Sequence, residues 1–214
     1  MCSRNLTRVV LIFVCAALGM ASQAQTSAGP HSKGHASALD AGSVTNGVYR
    51  NSGLGFSCKI PDGWVLRTDD MNSDDDDPNQ PPSEVSGKVL LAAFSRPPEA
   101  RAEDVNSSIL IAAEPVSAYP GLKEAAQYLA PLEDVAKTQG FAVVGDPYEI
   151  QLGAKRIPRE DFQKDVGTRV MRQATLVALE HGYAISFTFI GGTEDEVEQL
   201  VESLAFPQRP VARK

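Results

Sequence analysis

The chain is poor in the residues from which most catalytic and metal sites are assembled. Its 214 residues include three cysteines, three histidines and one tryptophan, Trp64. Cys2 and Cys15 fall in a segment that reads as a signal peptide, so the mature chain keeps only Cys58 and cannot form an internal disulfide. His31 and His35 lie in a Ser/Gly/Ala-rich stretch and offer no third ligand for a metal, which leaves His181 as the one histidine of the folded region. A Ser or Cys triad would need that single ring. The sequence has no GxSxG, no HExxH, no phosphate loop, no paired CxxC and no GxGxxG after a strand. Positive charge is also scarce. The formal charge of −7 becomes about −9 when Arg4 and Arg8 leave with the signal, which opposes nucleic-acid binding.

What is present starts with an export signal. Arg4 and Arg8 precede an apolar run from Val9 to Leu18, and Ser22 and Ala24 put small residues before Gln25. The run falls short of the roughly 20 apolar residues a spanning helix needs. Ile12, Phe13 and Val14 before Cys15 are not a lipobox. Cleavage after Ala24 is expected, giving a periplasmic or secreted protein with no stable membrane anchor. Residues 25–46, rich in Ser, Gly, Ala and Thr, read as a flexible linker. A single domain is expected over 47–207, followed by a disordered tail at 208–214.

The domain is organised around GLGFSCKIPDGW, residues 53–64. Phe56, Cys58 and Ile60 share one face of a strand, and Ser57 and Lys59 share the other. Pro61-Asp62-Gly63 is a turn, and Trp64 is an apolar anchor. Residues 69–87 combine Asp69, Asp70 and Asp74 to Asp77 with Pro78, Pro81 and Pro82, a pattern that predicts a solvated loop. Tested as a calcium loop from Asp70, it places Asp75 and Pro81 where an EF-hand needs glycine and glutamate, so no metal site is assigned. Residues 88–96 and 105–113 predict two apolar strands paired antiparallel.

A helix is expected from Gly121 to Gln139, with a break near Tyr128 to Ala130 caused by Pro131. Segments 141–144, 148–152, 156–164, 168–179 and 183–190 then predict a meander of hairpins. Their turns fall at Gly145-Asp146-Pro147, Gly153, Gly167 and His181-Gly182. Thr193 and Glu196 form a capping box for a last helix whose buried stripe is Val197, Leu200, Val201 and Leu204. The fold class is α+β, an antiparallel sheet of about six or more strands flanked by two main helices.

No catalytic or metal-ligating residue is assigned, binding residues are unknown, and no cofactor is expected. Cys58 reads as a buried apolar side chain. Glu114, Glu160 and Asp161 are the acids available to a carboxylate pair. The opening GFSCKIPDGW, the helix, the meander and the closing SFTFIGGTEDEVEQLVESLAF together resemble the PsbP-like superfamily over roughly residues 47–207. That resemblance implies an α/β/α sandwich and a binding or assembly module rather than an enzyme, and it carries over no functional residue. The expected function is an exported non-catalytic module that binds a protein partner in the cell envelope or assists its assembly. The alternative is a carboxylate-dependent hydrolase of extracellular or cell-wall material.

Overall fold

The protein is described here from a computed structural model covering residues 39–73, 87–100 and 104–206. Short alternating segments open the chain. β1 (Ser43–Thr45), β2 (Val48–Asn51) and β3 (Phe56–Lys59) pair antiparallel in that order. Phe56, Cys58 and Ile60 are buried and Lys59 is exposed, the one-sided strand predicted from the alternation. The linker expected over 25–46 does not reach Asn46. Leu39 packs on the core, Asp40 Oδ2 accepts the Gly53 N–H at 3.0 Å, and β1 is paired. Main-chain pairing compensates there for the missing apolar side chains.

After the Pro61–Gly63 turn come β4 (Val65–Leu66) and a short helix, α1 (Thr68–Ser73), where the acidic pattern predicts loop. Asp69 and Asp70 occupy its first turn, where negative charge meets the positive end of the helix dipole. Its polar side chains then finish an open strand edge. Thr68 Oγ1 accepts the Ala92 N–H, and the Asn72 amide bonds both the N–H and the C=O of Val89. Asp74 to Asp77 and the prolines after them lie outside the described residues.

β5 (Lys88–Phe94) and β6 (Ser108–Pro115) are buried on both faces and pair antiparallel as predicted. The expected helix begins later than Gly121. A 3₁₀ turn, Ala125–Tyr128, runs into α2 (Leu129–Thr138), so the change of geometry falls at Tyr128. Pro131 thereby sits in the first turn of α2, where its missing N–H removes no intrahelical bond. Gly140, at φ +86°, closes the helix, with Phe141 N–H bonded to Ala136 C=O.

The meander follows as β7 (Ala142–Leu152), β8 (Lys155–Val166), β9 (Arg169–Glu180) and β10 (Tyr183–Gly191). His181 and Gly182 form the last two-residue turn with φ of +50° and +86°, the signs a type I′ turn requires. One predicted turn is absent. Gly145-Asp146-Pro147 does not separate two strands but makes a bulge inside β7, between Val144 and Tyr148. β7 is the sheet's last strand, so a proline there costs no interior ladder bond.

α3 (Glu194–Glu202) is capped by Thr193, whose hydroxyl accepts the Glu196 N–H at 3.2 Å. The return half of the box shifts by one residue, since the Glu196 carboxylate takes the Gly192 N–H at 2.8 Å and the Ser107 hydroxyl. Leu204 is buried as expected, but in β11 (Leu204–Ala205), beyond the helix.

Two antiparallel sheets result, one ordered β4-β5-β6-β10-β9-β8-β7 and a smaller one ordered β1-β2-β3-β11. The α+β class and the large sheet agree with the sequence reading. The second sheet, which the sequence reading did not foresee, covers one face of the large sheet together with α3. There Phe56, Phe187 and Phe206 meet, with Phe187 edge-on to Phe56 at 5.0 Å and to Phe206 at 5.9 Å. The 3₁₀ turn, α2 and α1 lie over the other face. Because Phe187 joins three distant segments, Phe187→Ala is expected to cost about 3–5 kcal/mol in urea unfolding, and Leu200→Asp to leave no cooperative transition.

Candidate functional site

The two faces of the large sheet differ in chemistry because the strands alternate. In β10, Ile185, Phe187 and Phe189 face the small sheet, while Ala184, Ser186, Thr188 and Ile190 face the helices. β9 repeats this, with Gln173 and Thr175 on the helix side. β6 adds Leu110, Ala112 and Glu114, and β5 adds Val89. Polar side chains therefore floor a gap in an otherwise apolar layer.

α2 forms the wall of this gap through Leu132, Val135, Ala136 and Gln139. The gap holds about 60 Å³ and is open to solvent. On the floor, Gln173 Nε2 donates to Thr175 Oγ1 at 3.0 Å. Among the described residues, no basic side chain lines the groove.

Glu114 stands at one end, 6% exposed. Burial raises its carboxyl above the usual range, and the hydroxyls of Tyr119 and Tyr128 oppose that rise; Tyr119 donates to it directly. Tyr128 stacks edge-on to Tyr119 at 5.0 Å. Pro115 and the following 3₁₀ turn, Val116–Ala118, reverse the chain after β6 and bring Tyr119 back over Glu114.

Glu160 is the second buried acid, at 2% exposure, on β8 beneath α2. One of its carboxylate oxygens is buried without a hydrogen-bond partner. Burial, with repulsion from Glu133, pushes it up to about 6, and Lys137 works against that rise.

The three acids singled out in the sequence do not converge. Glu160 and Asp161 are neighbours on one strand and point to opposite faces. Asp161 accepts from Arg159 Nε at 2.8 Å and from the Tyr148 hydroxyl at 2.7 Å. Glu114 and Glu160 are separated by three strand spacings and four residues of register, roughly 20 Å at ~4.8 Å per strand and ~3.3 Å per residue. Glycosidase pairs stand about 5–9.5 Å apart. Cys58 is fully buried in the core, its thiol 3.3 Å from the Ser203 hydroxyl and pushed by burial up to about 11. His181 occupies its hairpin turn, at the opposite end of the β9–β10 pair from Gln173 and Ile190. Asp70 pairs with Arg67 at 2.8 Å. The groove residues Gln173, Thr175, Ser186 and Thr188 were not singled out in the sequence. Their signal was the run of small and polar side chains on the second face of a central strand.

If the Tyr119 hydroxyl supports the ionised Glu114, its loss should act only where Glu114 is charged. A carboxyl raised by burial loses stability as pH climbs through its folded pKa, and removing a donor deepens that loss. Tyr119→Phe is therefore expected to cost about 1–3 kcal/mol at neutral pH and little near pH 4, read from paired urea titrations.

No family profile matches the sequence, and neither does any curated protein. Several solved structures are similar. The cyanobacterial PsbP (CyanoP) of Synechocystis is 15% identical, over 84% of this chain and 100% of that one, with a TM-score of 0.45. LpqN of Mycobacterium tuberculosis, described as involved in cell envelope biogenesis, is 17% identical over 71% and 83% at a TM-score of 0.38. PA94 of Pseudomonas aeruginosa, of unknown function, is 16% identical over 77% and 97% at 0.38. Proteins this distant carry over neither an activity nor a family.

Proposed function

We propose that the chain is an exported, non-catalytic accessory module of the cell envelope that binds a partner protein through the groove beside α2. The pattern of Arg4, Arg8 and the apolar run from Val9 to Leu18 supports export, and no helix among the described residues is long and apolar enough to cross a membrane. The observation that carries the binding reading is the size and chemistry of the groove. Its 60 Å³ accommodates a few waters, at about 10–15 Å³ each, or the end of one aliphatic side chain. A sugar ring with an attacking water needs more room than that. An aliphatic anchor from a partner fits, with Val89, Leu110, Leu132 and Val135 around it and the Ser186 and Thr188 hydroxyls free to meet a main-chain group beside it. Among the described residues one acid and no base line the groove, on a chain with a net charge of −7, so the segment that docks is neutral or basic.

The test places a photoreactive residue at Val135 on the groove wall, or at Val44 on the small sheet as a control. The expected result is one envelope protein crosslinked from Val135 and not from Val44. The adduct should fall at least roughly tenfold when Ala112→Phe fills the groove, and the same protein, once purified, should bind wild type and not Ala112→Phe. Equal labelling from both positions, or an adduct indifferent to Ala112→Phe in a variant whose circular dichroism is unchanged, would overturn the assignment.

A further inference from the structure

The row of the sheet that holds Glu160 is irregular on one side and roofed by α2 on the other. On β7, Val144 faces Asp161 and Tyr148 faces Arg159, so the bulge Gly145-Asp146-Pro147 lies opposite Glu160. Bulges break pairing and re-aim side chains, and they concentrate beside functional sites. On β9 its neighbour is Thr175, part of the groove floor. Above it, α2 carries Glu133 and Lys137, which pair with each other across one turn. A carboxyl 2% exposed with an unbonded oxygen is costly to ionise where it stands. The cost disappears if the carboxyl is protonated, or if the helix above it lifts and admits water.

We propose that Glu160 is a proton latch for α2: protonated, it lets the helix seat on β8 and β9; ionised, it favours a lifted helix and a wider groove, so that acidification closes the site. The latch rests on the groove being the binding site, but its operation requires no partner. The charged groups around it are Glu133, Lys137 and Asp134 on α2, Asp146 in the β7 bulge, and Asp161 and Lys164 on its own strand, while Thr175 and Gln173 from β9 do not titrate. Lys137 can move from Glu133 to the ionised Glu160, which weakens the latch and does not abolish it. Seating depends on Ala136 against Phe141 and Phe162, and on Lys164, whose ammonium donates to the Gln139 carbonyl at 2.6 Å.

The sign follows from linkage. Burial raises the seated carboxyl to about 6, above its ordinary 4.5, so the seated state holds the proton more tightly and loses ground as pH rises through that interval. From about pH 5 to about pH 7.5 the opening constant should rise roughly tenfold.

Hydrogen exchange on the free chain reads this directly, as protection of the α2 amides against pH after correction for intrinsic rates. Wild type should lose about tenfold protection in α2 while the amides of Phe187 and Phe189 in β10 stay constant. Glu160→Gln should hold α2 protected and flat. Lys137→Met, which removes the opposing cation from an exposed position, should steepen the wild-type slope. Identical profiles for wild type and Glu160→Gln, or a change in β10 that parallels α2, would overturn the latch. Should Glu160→Gln fail to fold, an unchanged slope in Lys137→Met would overturn it equally. Because the exchange is measured without a partner, failure of the latch is distinct from failure of the binding reading, which the crosslink alone addresses.

Discussion

The contact on which the rest of the structure depends is the meeting of Phe56, Phe187 and Phe206. Phe187 comes from the centre of the large sheet, Phe56 from β3 of the small one, and Phe206 from the end of the described chain. The small sheet could not stand alone, since β1 to β3 and β11 are two to four residues long and expose one face. Aromatic burial at this junction holds the two layers together. Once β10 is pinned there, strict alternation leaves Ser186 and Thr188 no choice but the opposite face. The polar floor of the groove is thus a geometric consequence of how the core is packed on the other side.

That consequence explains which parts of the molecule could be read from the chain. Elements whose signal is local were legible: the one-sided strand through Cys58, the His181-Gly182 turn, the Thr193 cap and the change of helix geometry before Pro131. α1 was not, because it is only six residues long, has no buried stripe and runs into the acid- and proline-rich pattern of Asp74 to Pro82. It forms where Asn72 and Thr68 find the unpaired edge of β5, a partner distant in sequence. The β7 bulge was misread for a related reason. Gly-Asp-Pro encodes a chain irregularity, and only the presence of β8 alongside decides whether it becomes a turn or a bulge.

The site was harder to read than the fold because it contains no residue type that stands out. Serine, threonine and glutamine on a strand signify solvent unless the opposite side of that strand and a covering helix are known. The three acids that did stand out dispersed once the strands were in register, since Glu160 and Asp161 are adjacent in sequence and therefore divided by the sheet. Counting acids in a chain cannot supply a pair at catalytic distance; register does.

Glu160 also bears on why the second face is left imperfectly covered. An apolar residue in its place would seat α2 against β8 and β9 without penalty, as Ala136 does against Phe162 one row away. A buried carboxyl with an unmet oxygen gives that stability away at neutral pH. The same strand meets its other buried charge differently: Arg159, on the opposite face, is held by Asp161, Glu198 and the Tyr148 ring. One strand thus carries a satisfied charge on the side that joins the layers and an unsatisfied one on the side that forms the groove. The difference leaves charge met where α3 and the small sheet are anchored, and unmet beneath the helix that walls the groove.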